Sequence, residues 1–233
     1  MQDLALERAK SHLAAMPAVP INWIPAVRVV PRFPPIEQLE QFDADLQAAV
    51  VAELASVNPA IIGNLRLLPP GPLPAGPGAS RLIASYTFGR PGRFNDDTFA
   101  AFYGAESLAT AIAETVHHIV EPLRDSNAPP QTLPPRLVLQ VNVRADDVID
   151  ARAAAYLEIY EPNAYVESQR FGALVHERGH HGIVYRSVRR PAGECIAVYT
   201  PTALSDCRED RELVYRYAGG RIEVSEVHYA GDA

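Results

Sequence analysis

From Leu68 to Ser80 the chain reads LPPGPLPAGPGAS, a run that neither a helix interior nor a central strand accommodates. Proline fixes φ and lacks an N–H, so it interrupts helical and sheet ladders alike, and the glycines between prolines supply turns. The run predicts a stiff extended connector over 68–80. It also separates two parts of different periodicity. Residues 1–67 read as an N-terminal helical extension. Leu4, Leu6, Leu13 and Met16 sit among charged residues in a short amphipathic helix, and Leu39, Phe42, Leu46, Val50, Val51 and Leu54 keep helical spacing over 36–57. A proline-rich bridge, 17–35, lies between them, and Ala26–Val30 within it reads as a first strand of the main domain.

Residues 81–233 read as that main domain, with short strands interleaved with two helices. Strands are predicted at Leu82–Thr87, Thr98–Tyr103, Leu137–Val143, Ile183–Ser187 and Cys195–Thr200. One helix is predicted over Ser107–Glu121, capped by Ser107 and ended by Pro122; the other spans Ala164–Arg178 and stops at Gly179. Glu212–Tyr217 and Arg221–Val227 flank Gly219-Gly220, the residue pair a type I′ hairpin turn requires. The expected class is α+β (mixed α/β).

A length of 233 residues with 48% hydrophobic and 21% charged side chains is enough for a real core without disulfides or structural metal. The formal net charge of -7 argues against a broad basic face that grips nucleic acid. Cys195 and Cys207 are too few for a disulfide framework or a four-cysteine zinc site and fit a reducing compartment. No apolar run reaches the ~18 residues of a membrane span, and the first residues lack a secretory apolar core. A cytoplasmic protein with no membrane or direct nucleic-acid partner is the expectation.

Two segments carry residues suited to chemistry. In GRPGRFNDDTFAAFYGAESLATAIAETVHH, residues 89–118, Arg90 and Arg93 flank a turn, Tyr103 ends a strand and Glu114 lies on a mostly apolar helix. A carboxylate buried alone there costs several kcal/mol, so Glu114 is paired, hydrogen-bonded or functional. An internal Arg–Glu pair tying loop to helix is the plain alternative. In the second segment, residues 179–201, Ser187 ends a strand beside the basic run Arg189-Arg190-Pro191. That grouping suits a small polar or phosphate-bearing ligand, although a turn serine in a solvated loop reads equally well. His117-His118 read as helix surface or cleft lining.

No dinucleotide-binding glycine fingerprint is present: Gly76-Pro77-Gly78 falls in the connector, not between a strand and a helix. His176-Glu177-Arg178-Gly179-His180 matches the His-Glu-x-x-His pattern of zinc metalloproteases, which needs both histidines on one continuous helix. Gly179 reads instead as a helix C-cap with His180 already in the turn, so no metal is expected.

Gly92-Arg93-Phe94-Asn95, Tyr103-Gly104-Ala105-Glu106-Ser107, Ala111-Ile112-Ala113-Glu114 and Gly182-Ile183-Val184-Tyr185-Arg186-Ser187-Val188-Arg189 follow one another in fixed order. Together they resemble the RES domain, a bacterial family named for its arginine, glutamate and serine. Val27-Arg28-Val29 is similar to the family's opening Tyr-Arg-Ile strand. The resemblance implies an ADP-ribosyltransferase-like fold here preceded by the helical extension. It also implies a cytoplasmic toxin of a toxin–antitoxin pair that consumes NAD, neutralised by an Xre-like helix-turn-helix antitoxin. NAD would be substrate, and no cofactor is expected. The implied reaction releases nicotinamide to water or phosphate, with transfer of ADP-ribose to a protein as the alternative.

The residue types suit that chemistry. Breaking the nicotinamide–ribose bond passes through an oxocarbenium-like state that a fixed carboxylate stabilises, the role for Glu114. Arg93, and with it Arg28, would hold the pyrophosphate; Tyr103 would position the nicotinamide ribose, Asn95 would contact the same ligand, and Ser187 would bind a phosphate or orient Glu114. A zinc protease, or an interaction module using the N-terminal helices, remains the competing class. The sequence leaves a homo-oligomer open.

Overall fold

The computed structural model describes residues 2–31, 72–87, 90–153 and 155–227. The predicted helix over 36–57 and the first residues of the connector lie outside them. Helix α1 (Gln2–Ala15) leads directly into strand β1 (Ala18–Pro31), far longer than the five residues read from the sequence. Its register on a neighbour shifts between Trp23 and Ala26, around Pro25, which has no N–H to give to a ladder. The remaining elements are α2 (Ala79–Thr87), β2 (Phe102–Ala105), α3 (Leu108–Asp125), β3 (Gln131–Thr132), β4 (Arg136–Asp150), α4 (Val166–Glu177), β5 (Gly182–Arg186), β6 (Glu194–Val198), β7 (Leu204–Ala218) and β8 (Arg221–Glu226). A short 3-10 turn, Leu157–Tyr160, precedes α4.

The strands form one mixed sheet in the order β1-β2-β6-β5-β4-β7-β3, with β8 paired to β7. β1 also pairs antiparallel with β4 from Ala18↔Ile149 to Pro31↔Arg136, so the sheet closes back on itself. Among the described strands only β4 and β5 run parallel. The fold is thus α+β, as expected. Both N-terminal elements join this body: β1 lies in the sheet and α1 packs against α4, where Leu13 and Ala9 enter the core with Phe171 and Val175.

Side chains alternate across the strands into two cores. On one face Ile183, Tyr185, Cys195 and Ala197 meet Phe94, Phe171 and Ala111; on the other Val184, Ile196 and Val198 meet Phe102, Tyr86 and Leu82. Helix α3 lies over the first face and the adjoining cluster of Val138, Leu213 and Tyr215 through Ile112, Val116 and Ile119.

Three predicted elements need correction. Leu82–Thr87 is the second half of helix α2, in which Leu82, Ser85 and Tyr86 bury one helical stripe. The segment is too short for that spacing to be told from alternation, and its start is set by Gly78, whose carbonyl accepts from Arg81 and Leu82. Thr98 does not begin a strand. The Asp96 carboxylate accepts from the Thr98 amide at 2.8 Å and its hydroxyl at 2.6 Å, holding a local turn, and pairing starts at Phe102. Pro122 does not end α3, which runs to Asp125, with Ser126 Oγ donating to the Pro122 carbonyl at 2.9 Å. Two predicted strands are also much longer than read: Leu137–Val143 lies within β4, which runs on to Asp150, and Glu212–Tyr217 is the end of β7, which starts at Leu204. Ser107 is the N-cap as expected, its hydroxyl accepting from the Thr110 amide at 3.3 Å.

Candidate active site

Glu114 and Ser187 are 73 residues apart in sequence, yet they meet. α3 carries Glu114 on the flank facing β5 and β6, and Ser187 is the first residue of the loop leaving β5. Ser187 Oγ donates to Glu114 Oε1 at 2.6 Å. The same oxygen accepts from the Arg189 amide at 3.1 Å and the Arg190 amide at 3.0 Å. A hydroxyl has one proton and two lone pairs, so those two amides leave its hydrogen for Glu114. The side chain is spent on orienting the carboxylate. The buried thiol of Cys195, on β6, stands 3.9 Å from the same Oε1, and burial with the nearby Glu114 charge raises its pKa. Both contacts engage the same oxygen of Glu114.

Arg93 and Tyr103 are related to this pair through Tyr185. Tyr185 is buried on β5, and the charges or hydroxyls of Glu114, Tyr103 and Arg93 all act on it, with burial raising its pKa well above the usual range. Phe94 packs edge-on to Tyr185 at 4.7 Å and so ties the 92–95 turn to the strand below. Arg93 is only 7% exposed. Its guanidinium donates to the carbonyls of Ile159 at 3.0 Å and Glu161 at 2.8 Å and lies 4.7 Å over the ring of Tyr165. It therefore grips the end of the 3-10 turn and the residue after it.

Tyr103 has its hydroxyl fully engaged, donating to Asn95 Oδ1 at 2.8 Å and accepting from the Phe94 amide at 2.9 Å. Gly92 makes this possible: a Cβ there would lie 2.7 Å from the Tyr103 hydroxyl and 2.9 Å from its ring. Asn95, 1% exposed, donates to the carbonyls of Arg90, Asp96 and Phe99, so it braces the turn.

Arg28 is not brought to Glu114. Its guanidinium lies 4.9 Å from the Phe102 ring and donates to the backbone carbonyl of Tyr103 at 3.1 Å. Phe102 and Tyr103 point to opposite faces of β2, and Arg28 shares the face of Phe102, Tyr86 and Cys207, where burial lowers its pKa.

Several residues here escaped the reading of single motifs. Arg189 donates to the Pro162 carbonyl, while its Nε is buried without a hydrogen-bond partner. Its charge and that of Arg93 act on His118, one turn beyond Glu114, and burial is the largest of the causes that lower the pKa of this imidazole. Arg189 closes the Gly-Ile-x-Tyr-x-Ser-x-Arg segment and was visible there. Cys195 reads from sequence only as the first residue of a strand.

The His-Glu-x-x-His residues do not share a helix. α4 ends at Glu177, Gly179 adopts φ +79, and the His180 amide reaches back to the Val175 carbonyl at 3.3 Å. The His176 ring stacks on Phe99 at 4.4 Å, and His180 Nδ1 bonds both oxygens of Asp147 at 2.9 and 3.0 Å. Among the described residues no group of three potential ligands could hold a metal ion. None of the described helices is long and apolar enough to cross a membrane.

A model of the RES domain family matches residues 75–218. Among solved structures, the chain is similar to one in the crystal structure of the M. tuberculosis MbcT–MbcA toxin–antitoxin complex. The two share 12% identity with a TM-score of 0.48, over 89% of this chain and 90% of that one. No curated protein sequence matches.

Proposed function

The chain belongs to the RES domain family, and from that premise we propose that it is an enzyme that consumes NAD by breaking the bond between nicotinamide and ribose. The observation that carries this reading is the Glu114 carboxylate, fixed through one oxygen by the Ser187 hydroxyl at 2.6 Å. When the C1′–N bond breaks, its electron pair goes to the nicotinamide ring nitrogen, which leaves neutral and needs no acid. The positive charge that develops on the ribose is then stabilised by a carboxylate that does not have to reorient. The acceptor oxygen forms the new bond to C1′ and gives up its proton.

Tyr103 would offer its ring to the nicotinamide ribose, with its position locked by Asn95 and Phe94. Arg189 supplies a buried donor without a hydrogen-bond partner, suited to a phosphate oxygen, and Arg93, its guanidinium held by the Ile159 and Glu161 carbonyls, acts by fixing the segment it grips. Asn95 and Ser187 act by holding Tyr103 and Glu114, and Arg28 contributes from the far side of β2 to the backbone at Tyr103. NAD enters as substrate, not as a recycled cofactor.

We assign the acceptor as water or phosphate, making the protein a glycohydrolase or phosphorylase. The biological reading that fits such an activity is a cytoplasmic toxin held in check by an antitoxin. Nicotinamide release from NAD, measured without phosphate, with phosphate and with candidate acceptor proteins, separates hydrolysis, phosphorolysis and ADP-ribose transfer. No release under any of these conditions removes the reading.

A further inference from the structure

Glu106 immediately precedes the cap of α3 and does not touch Glu114, yet it holds the loop that does. Glu106 Oε2 accepts from the Glu194 amide at 2.7 Å, and the Glu106 amide donates to the Glu194 carbonyl at 3.1 Å. Its Oε1 accepts from the hydroxyls of Ser107 at 2.9 Å and Thr110 at 2.8 Å, and Arg190 approaches it at 3.9 Å. Thr110 is completely buried, and a Cβ on Gly193 would lie 2.7 Å from its hydroxyl, so the loop sits directly on the helix. The loop is also closed on itself. The Ser187 amide donates to the Gly193 carbonyl at 2.7 Å and the Gly193 amide to the Arg190 carbonyl at 3.1 Å. Where residues 193 and 194 are anchored therefore fixes where Ser187 stands.

We infer that Glu106 is a positioning residue for Glu114, acting through the 187–194 loop and the Ser187 hydroxyl. Two glutamates thus divide the work: Glu106, just ahead of the helix, anchors the loop, and Glu114, within it, receives the loop's hydrogen bond. The kinetic consequence rests on the NAD-cleaving reading above; the structural consequence does not. A carboxylate suits the anchor because it accepts on both oxygens at once, from an amide on one side and two hydroxyls on the other.

The test uses the full chain. Glu106→Ala is expected to speed hydrogen exchange at the Arg189 and Arg190 amides about tenfold or more, because Ser187 no longer stays under them. It should lower kcat for nicotinamide release about 100-fold, the scale of a 1 Å misplacement, with KM changed less than about twofold. Glu106→Gln recovers most of both, since its carbonyl still accepts from Glu194 and its NH2 donates to the reoriented hydroxyls. The deciding readout is the pair Glu106→Ala with Ser187→Ala, which should be no slower than Ser187→Ala alone, because removing the anchor changes nothing once the anchored hydroxyl is gone. Rate losses that multiply, or exchange that does not respond, overturn the inference. If Glu106→Ala does not fold, Glu106→Asp carries the same measurements, with the carboxylate withdrawn by one methylene. A wild-type protein that releases no nicotinamide overturns the NAD reading, and hydrogen exchange then decides the role of Glu106 by itself.

Discussion

Replacing Ser187 with alanine separates two roles that the sequence leaves open for this hydroxyl. In the structure Ser187 Oγ donates at 2.6 Å to Glu114 and accepts from two amides at 3.1 and 3.0 Å. Neutral hydrogen bonds contribute about 1 kcal/mol each and one to a charged group about 1.5–3 kcal/mol. Ser187 and Glu114 are both half-buried, so water replaces part of what is lost and the net cost is about 2 kcal/mol. For a chain of this length that lowers Tm by about 4–8 °C. The catalytic consequence is larger, because a carboxylate released from its partner no longer meets the developing ribose cation in one orientation, and misplacement of that order costs about 100-fold in rate. A residue that orients Glu114 acts only in the transition state, so kcat falls while KM stays constant; a residue that binds a phosphate of NAD raises KM instead. The assay is steady-state nicotinamide release by Ser187→Ala beside thermal unfolding of the same sample. A raised KM at unchanged kcat, or a lower Tm with both constants intact, would refute the orienting role.

Gly92→Ala brings a methyl to within 2.7 Å of the Tyr103 hydroxyl. The ring must shift and lose its bonds to Asn95 and Phe94, costing about 1–3 kcal/mol in denaturant unfolding; unchanged stability and turnover would show that the turn yields freely. Burial is the main cause that lowers the pKa of His117, His118 and His176 from the usual 6.5. Below that value the unfolded chain binds more protons than the folded one, so stability falls as pH drops. Tm measured from pH 7 to pH 5 should decline, and His176→Gln should flatten part of the slope; a flat wild-type profile contradicts this. Asp150 adds a second loss at lower pH. Hydrogen bonding to Arg152 lowers its pKa, so its contribution is lost as the pH drops below its usual 3.8, and Arg152→Met should remove that acid-range component.

Local chemistry made much of this molecule legible in advance. Gly219 and Gly220 adopt φ +57 and +72, as a type I′ hairpin needs, and Gly179 ends α4 at φ +79. These are properties of one or two residues and their immediate neighbours, so the sequence carries them. The errors fall where tertiary contacts choose between equal local options. Leu82–Thr87 is apolar enough for a strand, and becomes a helix because one stripe of it packs into the core with Phe102 and Val198. β1 extends well beyond Ala26–Val30 because β4 pairs with it along its length in spite of three prolines.

The site divides in the same way. Arg93, Tyr103, Glu114 and Ser187 stand in recognisable motifs; Glu114 and Ser187 meet, while Arg93 holds the Ile159 and Glu161 carbonyls and the Tyr103 hydroxyl is held by Asn95 and Phe94. Arg28 joins them only through the resemblance of Val27-Arg28-Val29 to the family's opening strand, and its side chain lies on the Phe102 face of β2. Asn95 lies in the same motif as Arg93, and what it binds is the turn itself. Glu106 and Glu194 are 88 residues apart, and no local pattern shows that one anchors the other.

The most direct measurement of the central claim is nicotinamide release from NAD by the purified wild-type chain beside Glu114→Gln, each confirmed as folded. The account predicts turnover by the wild type and a loss of about 100-fold or more in the variant, which keeps the shape and hydrogen bonding of Glu114 but not its charge. Equal release by both would contradict the assignment of Glu114, and release by neither would contradict the proposed reaction.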